Sequence, residues 1–344
     1  MRNVTNINDR VRQCNKFQNG RKSLSKYFNS DIVVDEYRIP VSIFLKVLPV
    51  ELIKNPFWLS LYLVEILVNR LLTLKRVDFD SKYQPYVSSK GLRYSQNTIN
   101  EDATLKTLTV GIAAFNEELN IEQIIRDFLS QKQFGYVLRK IIVVSDMSSD
   151  QTEKIVNSID DKRVTLIRNE HRKGKALSVN DIIDNTKTDL IIIADADIRI
   201  YDKNLVSKLI QLYNSDENVG IVCPNNVAIP HDSLFSKALK HGAELRSYMY
   251  KCYNCGNNIY NCRGALRLFN VEFVSKFKWP QVPNEDCYGY WTAEKLGYKF
   301  LFLSSTDIIY FLPDNLKDHL KQSTRFFGVK QVHYKNFSKV MIDN

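Results

Sequence analysis

Thr107–Phe115 reads TLTVGIAAF, Lys140–Asp146 reads KIIVVSD, Val164–Asn169 reads VTLIRN and Leu190–Asp197 reads LIIIADAD. Between them lie NIEQIIRDFLSQ (Asn120–Gln131), QTEKIVNSI (Gln151–Ile159) and KALSVNDIIDN (Lys175–Asn185). Short β-branched runs thus alternate with helix-like amphipathic segments. That alternation predicts an α/β domain with a mainly parallel central sheet. Such sheets bind ligands beyond the carboxyl ends of their strands. The residues just after each run are therefore the candidates: Asn116-Glu117-Glu118, Ser145–Asp150 and Asp195-Ala196-Asp197. Each cluster alone reads equally well as a helix cap. Three on one sheet edge are harder to assign to capping. Asp195 and Asp197 end a buried run, where two like charges are costly unless donors or a cation offset them. Hard divalent cations such as Mg²⁺ and Mn²⁺ take carboxylate oxygen and bridge it to phosphates. A solvated loop opening on two acids is the plainer alternative.

The flanks differ. The chain has 344 residues, 48 Lys+Arg and 38 Asp+Glu, a net charge of +10. Residues 1–26 hold seven basic side chains and one acid, and residues 317–339 hold six and one, leaving 27–316 neutral. A neutral body with two basic ends argues against a basic nucleic-acid stripe through the fold. Six scattered cysteines make no disulfide scaffold. Cys252, Cys255 and Cys262 lack an evident fourth zinc ligand, so free thiols are expected. The N-terminus has no apolar core and no signal pattern. The apolar stretch Phe57–Leu72 is too short and too interrupted to span a bilayer. Prolines at 40, 49 and 56 predict two or three short helices across 36–76. A helix buried against the main domain is the expectation there, and an interfacial helix on lipid the alternative. The domain plan is a basic mobile segment at 1–30, a helical extension and linker at 31–106, the α/β domain at 107–330 and a basic tail at 331–344.

From about residue 108 to 330 the chain resembles glycosyltransferase family 2, whose nucleotide-sugar-binding fold is called GT-A. Val110–Glu117 (VGIAAFNE) is similar to the family's opening strand and loop around the nucleoside, implying donor contacts from Ala113, Phe115, Asn116 and Glu117. Ile142–Thr152 (IVVSDMSSDQT) resembles the family's Asp-Asp-Gly-Ser-x-Asp-x-Thr, with Ser145 and Met147 as departures. Asp146 keeps the position that the family uses for uracil. Arg172–Asn180 (RKGKALSVN) matches the segment that places a Gly-Lys pair, here ending in Lys175, and a later Asn near base and phosphates. Asp195-Ala196-Asp197 matches the Asp-x-Asp motif, implying Asp195 as a donor contact and Asp197, with Asp195, as holder of Mn²⁺ or Mg²⁺. Asn284-Glu285-Asp286 resembles the Glu-Asp motif, implying Asp286 as catalytic base and Glu285 as fallback. Gln322-Ser323-Thr324-Arg325-Phe326 resembles the Q-x-x-R-W motif of polysaccharide synthases, with Phe326 for Trp. Gln322, Arg325 and Phe326 would then contact the donor. Asn261–Arg267 (NCRGALR) loosely resembles the acceptor-side segment.

The resemblance implies a GT-A domain with an N-terminal helical extension and a C-terminal basic helical segment. It implies metal-dependent, inverting transfer of a hexosyl or N-acetylhexosaminyl group from a nucleoside-diphosphate sugar, most often UDP-linked. The acceptor would be a saccharide or lipid-linked hydroxyl, as in polysaccharide biosynthesis. A cytoplasmic enzyme is expected, with peripheral contact of its basic N-terminus at the inner face of a membrane. Three other readings stand beside it. One is a glycosyltransferase acting on nucleic acid, and one a non-enzymatic binder of nucleic acid or membrane. The third is a sugar nucleotidyltransferase, weakened because AAFNEELN lacks the Gly-rich triphosphate loop.

Overall fold

The structure is a computed structural model that describes residue 28 and residues 39–72, 105–282, 284–316 and 318–319. The chain divides into two compact units. The larger takes its described residues from 105–229 and 250–311. Its elements are β1 (Lys106–Ala114), α3 (Ile121–Leu129), β2 (Tyr136–Ser145), α4 (Thr152–Asn157), β3 (Val164–Arg168), α5 (Lys175–Asp184), β4 (Leu190–Ala194), β5 (Ile198–Arg199) and α6 (Leu205–Tyr213). There follow β6 (Val219–Ile229), a helix α7 (Leu234–Cys252) that begins in the other unit, β7 (Leu266–Asn270), α8 (Val271–Ser275), α9 (Glu285–Lys295) and β8 (Lys299–Phe311). The helices before them, numbered α1 and α2, belong to the smaller unit.

The eight strands form one sheet in the order β3-β2-β1-β4-β7-β6-β8-β5. The pairs β3/β2, β2/β1, β1/β4 and β6/β8 are parallel. β7 enters antiparallel between β4 and β6, and β5 closes the far edge antiparallel to β8. The expected α/β architecture is thus present, a mainly parallel sheet with an antiparallel strand inserted. All five residues of β4 are fully buried, which is why its run is apolar without alternation. α3 buries Ile121, Ile124, Ile125 and Phe128, the i, i+3, i+4, i+7 set that its sequence shows. Gly111 on β1 allows close helix packing: a Cβ there would lie 2.2 Å from Cγ2 of Ile182 on α5.

The smaller unit takes its described residues from 39–72, 230–249 and 312–319. α1 (Val41–Lys54) and α2 (Pro56–Leu72) meet at Asn55, where the chain bends by 120°. The Asn55 N–H donates to the Glu51 carbonyl, and its side chain donates to Glu51 Oε1. Tyr62 packs face-on against Gly242 of α7 and accepts a 2.6 Å hydrogen bond from Arg246. His241 Nε2 lies 3.1 Å from Glu51 Oε1. Across residues 41–64 only Val47, Leu59 and Tyr62 are buried, while Ile53 is 83% exposed. Among the described residues no single helix is long and apolar enough to cross a membrane.

Candidate active site

The carboxyl ends of β1, β2 and β4 come together at one edge of the parallel half-sheet, and each loop is fastened by its neighbours. Asn116 sits in the left-handed region at φ 56°. Its N–H donates to Ser148 Oγ, and its Oδ1 accepts from the Ser149 N–H at 2.7 Å. Glu117 N–H donates to Thr152 Oγ1, and Glu118 N–H to Asp150. Ser148, Asp150 and Thr152 therefore tie the β1 loop to the β2 loop. Ala113, Phe115 and Glu117 are half-buried at this edge, and the Arg172 guanidinium lies 3.8 Å over the Phe115 ring.

Asp146 is almost fully buried. It accepts from the backbone N–H groups of Lys173 (2.8 Å) and Gly174 (2.9 Å) and from the Asn169 amide (3.1 Å). Both its oxygens latch the turn that opens α5, which Gly174 makes at φ 89°. Asn180, expected near base and phosphates, exchanges two hydrogen bonds with the backbone of Trp279, each 2.9 Å. It fastens the segment leading to α9.

Lys175, the first residue of α5, is the hub. Its Nζ lies 2.5 Å from Asp195 Oδ1, 2.9 Å from Glu285 Oε1 and 3.2 Å from the Gly264 carbonyl. Burial works against its ammonium, but Asp195 and Glu285 outweigh that and hold it protonated above its usual range. Burial pushes the Asp195 carboxyl up to about 6; Lys175 pulls it down and the charge of Asp197 adds to the rise. Asp197, two residues on, is exposed.

Glu285 opens α9 and is buried. Burial opposes its ionisation, yet Lys175 and Arg267 hold it well below the usual carboxylate range. Arg267 is fully buried on β7, with Nη2 3.2 Å from Glu285 Oε1 and, among the described residues, no hydrogen-bond partner for Nε or Nη1. Asp286 is half-buried; its Oδ1 accepts from the Cys287 N–H at 2.8 Å. Gly264 forms the wall between these groups. A Cβ there would lie 3.0 Å from Glu285 Oε1, 3.1 Å from Lys175 Nζ and 3.7 Å from Asp286 Oδ2.

Sequence reading thus named Lys175, Asp195, Asp197, Glu285 and Asp286, and the fold gathers Lys175, Asp195, Glu285 and Asp286 around one glycine. Gly264 and Arg267 entered that reading only inside the loosely similar segment Asn261–Arg267, with no role of their own, and it did not name Trp279, whose indole N–H donates to the Glu285 carbonyl at 2.8 Å. Gln322, Arg325 and Phe326 lie outside the described residues. Among the described residues no group of three or more His, Cys, Asp or Glu side chains is disposed to hold a metal. Four carboxylates (Asp195, Asp197, Glu285, Asp286) face two cations (Lys175, Arg267), so the local balance is negative. A bound cation would ease the entry of an anionic ligand into such a cleft. The exposed oxygens of Asp197 suit a hard divalent ion that keeps other positions for ligand oxygens.

Residues 109–277 match the family described as Glycosyl transferase family 2. No curated protein matches the sequence. Among solved structures the chain is similar to a mannosyltransferase from Pyrobaculum calidifontis in complex with GDP-Man and Mn²⁺, at 18% identity and TM-score 0.47, covering 62% of this chain and 59% of that one. It is also similar to glucosyl-3-phosphoglycerate synthase from Mycobacterium tuberculosis, at 17% identity and TM-score 0.46, covering 64% and 76%. TarS of S. aureus, residues 1–349 with UDP-GlcNAc, gives 14% identity and TM-score 0.47, covering 62% and 60%. The chain therefore spans less than two thirds of the mannosyltransferase and of the TarS fragment.

Proposed function

On the premise that residues 109–277 belong to glycosyltransferase family 2, with the GT-A fold, we propose that this protein moves a sugar from a nucleoside-diphosphate donor to an acceptor hydroxyl with inversion. The observation that carries the reading is the meeting of Lys175, Asp195, Glu285 and Asp286 around Gly264 at the strand ends. The nucleoside would lie over Ala113, Phe115, Asn116 and Glu117, with a UDP-sugar the leading donor. Asp146 serves this pocket by holding the Lys173–Gly174 turn, which presents Lys175 to the diphosphate. Asp197, with Asp195, would hold Mn²⁺ or Mg²⁺. When bound, that ion offsets the negative charge of the cleft and of the leaving diphosphate.

The two acids of α9 have different work. Glu285 is buried, shared by Lys175 and Arg267 and held strongly acidic, so it is a poor proton acceptor. It replaces the fallback-base role with that of an anchor for Lys175. Asp286 keeps Oδ2 at the Gly264 wall, with Oδ1 steadied by the Cys287 N–H. An acceptor hydroxyl there would give its proton to Oδ2 while its oxygen bonds the anomeric carbon. The bond from that carbon to the diphosphate oxygen breaks on the opposite side, and the nucleoside diphosphate leaves with the electron pair. An α donor gives a β product. The acceptor is a saccharide or lipid-linked hydroxyl in this reading. Asp286→Asn is expected to lower turnover by about 10²-fold or more while donor affinity changes by less than about threefold. Calorimetry with a panel of UDP-, GDP- and dTDP-sugars, run beside a nucleotide-release assay, measures both. Near-normal turnover in the variant would remove Asp286 from the mechanism.

A further inference from the structure

The helices α1 and α2 display an apolar face that stays exposed among the described residues. On α1, Val47 is buried and Glu51 turns to His241 of α7. Next to them around the helix, Val41, Phe44, Leu45, Leu48 and Leu52 recur at i, i+3, i+4, i+7 and i+11, which is one stripe of a helix. Val41 and Leu45 are each 70% exposed, and Phe44 and Leu52 are exposed as well. On α2, Leu59 and Tyr62 turn inward. Phe57, Leu61 and Val64 recur at i, i+4 and i+7 opposite them, all exposed. Neither stripe contains a charged side chain. A helix that is apolar all round normally has both faces covered.

Length and charge point to what covers them. At about 1.5 Å per residue, α1 is about 21 Å long and α2 about 26 Å, each short of a hydrocarbon core of about 30 Å. The 120° bend between them fits two segments lying in a plane better than one rod crossing it. Residues 1–26, just upstream, hold seven basic side chains and one acid, a composition complementary to anionic headgroups. Trp58 is half-buried beside the bend, edge-on to Phe57, an aromatic suited to the headgroup boundary. We propose that α1 and α2 seat this protein on an anionic lipid surface. The stripes of Val41–Leu52 and Phe57–Val64 enter the boundary between headgroups and acyl chains, and the basic residues 1–26 add long-range attraction.

Flotation of the full chain with vesicles of phosphatidylcholine alone and of phosphatidylcholine with phosphatidylglycerol tests this. Wild type is expected to float with the anionic vesicles. The double substitution Leu45→Glu, Leu52→Glu is expected to weaken that binding by about tenfold or more, since it removes two buried apolar groups from the lipid phase. Both positions are exposed, so the thermal midpoint should not move. Acyl chains carrying bromine should quench tryptophan emission in wild type and not in Trp58→Phe, because Trp279 and Trp291 are buried in the other unit. A wild-type chain that stays unbound, or a double variant that floats equally well, overturns the proposal. So does quenching that persists in Trp58→Phe. A concentration-dependent dimer that the double substitution dissolves, with no lipid binding, would give the face to a second copy of this chain instead.

Discussion

Removing Glu285 from the Arg267–Glu285 pair costs more than removing Arg267, because only Glu285 has a second close partner. The two groups lie 3.2 Å apart and are both buried, Arg267 completely. Glu285 has a second cation, Lys175, at 2.9 Å. Arg267 has no hydrogen-bonded acceptor besides Glu285 among the described residues, and two of its nitrogens already lack one. Glu285→Gln therefore takes the nearest counter-charge from a buried guanidinium and leaves it only the more distant Asp286, which costs about 3–5 kcal/mol. Arg267→Met leaves Glu285 still paired with Lys175. The loss is then about one charge-assisted hydrogen bond, or 1.5–3 kcal/mol. The double variant strands neither group, so its cost should fall short of the sum by about 1–3 kcal/mol. Urea unfolding followed by tryptophan emission suits the measurement, because the Trp279 indole donates to the Glu285 carbonyl and reports on this corner. Two outcomes would refute the reasoning. One is additivity within about 0.5 kcal/mol; the other is an Arg267→Met variant less stable than Glu285→Gln.

Gly111→Ala drives a Cβ to 2.2 Å from Ile182 Cγ2, so α5 must shift off β1; a loss of about 1–3 kcal/mol is expected, seen as a lower urea midpoint with unchanged slope. Asp146→Asn turns an NH₂ group toward one of the two loop N–H groups that the carboxylate now accepts, so the Lys175 turn loosens. Steady-state kinetics should show the donor KM rising by about tenfold with a smaller change in kcat. Removing divalent ions with EDTA should abolish nucleotide release, and Mn²⁺ or Mg²⁺ should restore it; full turnover in excess chelator would eliminate the ion from the reaction.

The half-sheet that carries the site was legible because its physics is local. β4 is buried on both faces, so Leu190–Ala194 has to be a continuous apolar run, and the acids that follow have to stand at its end. What a strand-end acid does is decided elsewhere in the chain. Asp146 reads as a ligand contact, yet its oxygens meet amides 27 and 28 residues away, and no periodicity reports that partner. The burial of Arg267 and its pairing with Glu285 were hidden for a related reason. An arginine between Leu266 and Leu268 reads as the wet side of a half-exposed strand, but Phe269 shares the face of Arg267 and both are fully buried. An arginine at 0% exposure is tolerable only because α9 delivers Glu285 to it, and that meeting joins residues 18 apart through an intervening helix and loop. The apolar helices show the opposite case. Their composition predicted burial, since water is a poor solvent for both faces. The fold covers one face alone, through Tyr62 on Gly242 and Glu51 at His241. Hydropathy along a chain records how much apolar surface must leave water. It does not record whether protein or lipid receives it, and at α1 and α2 that difference is the question a vesicle answers.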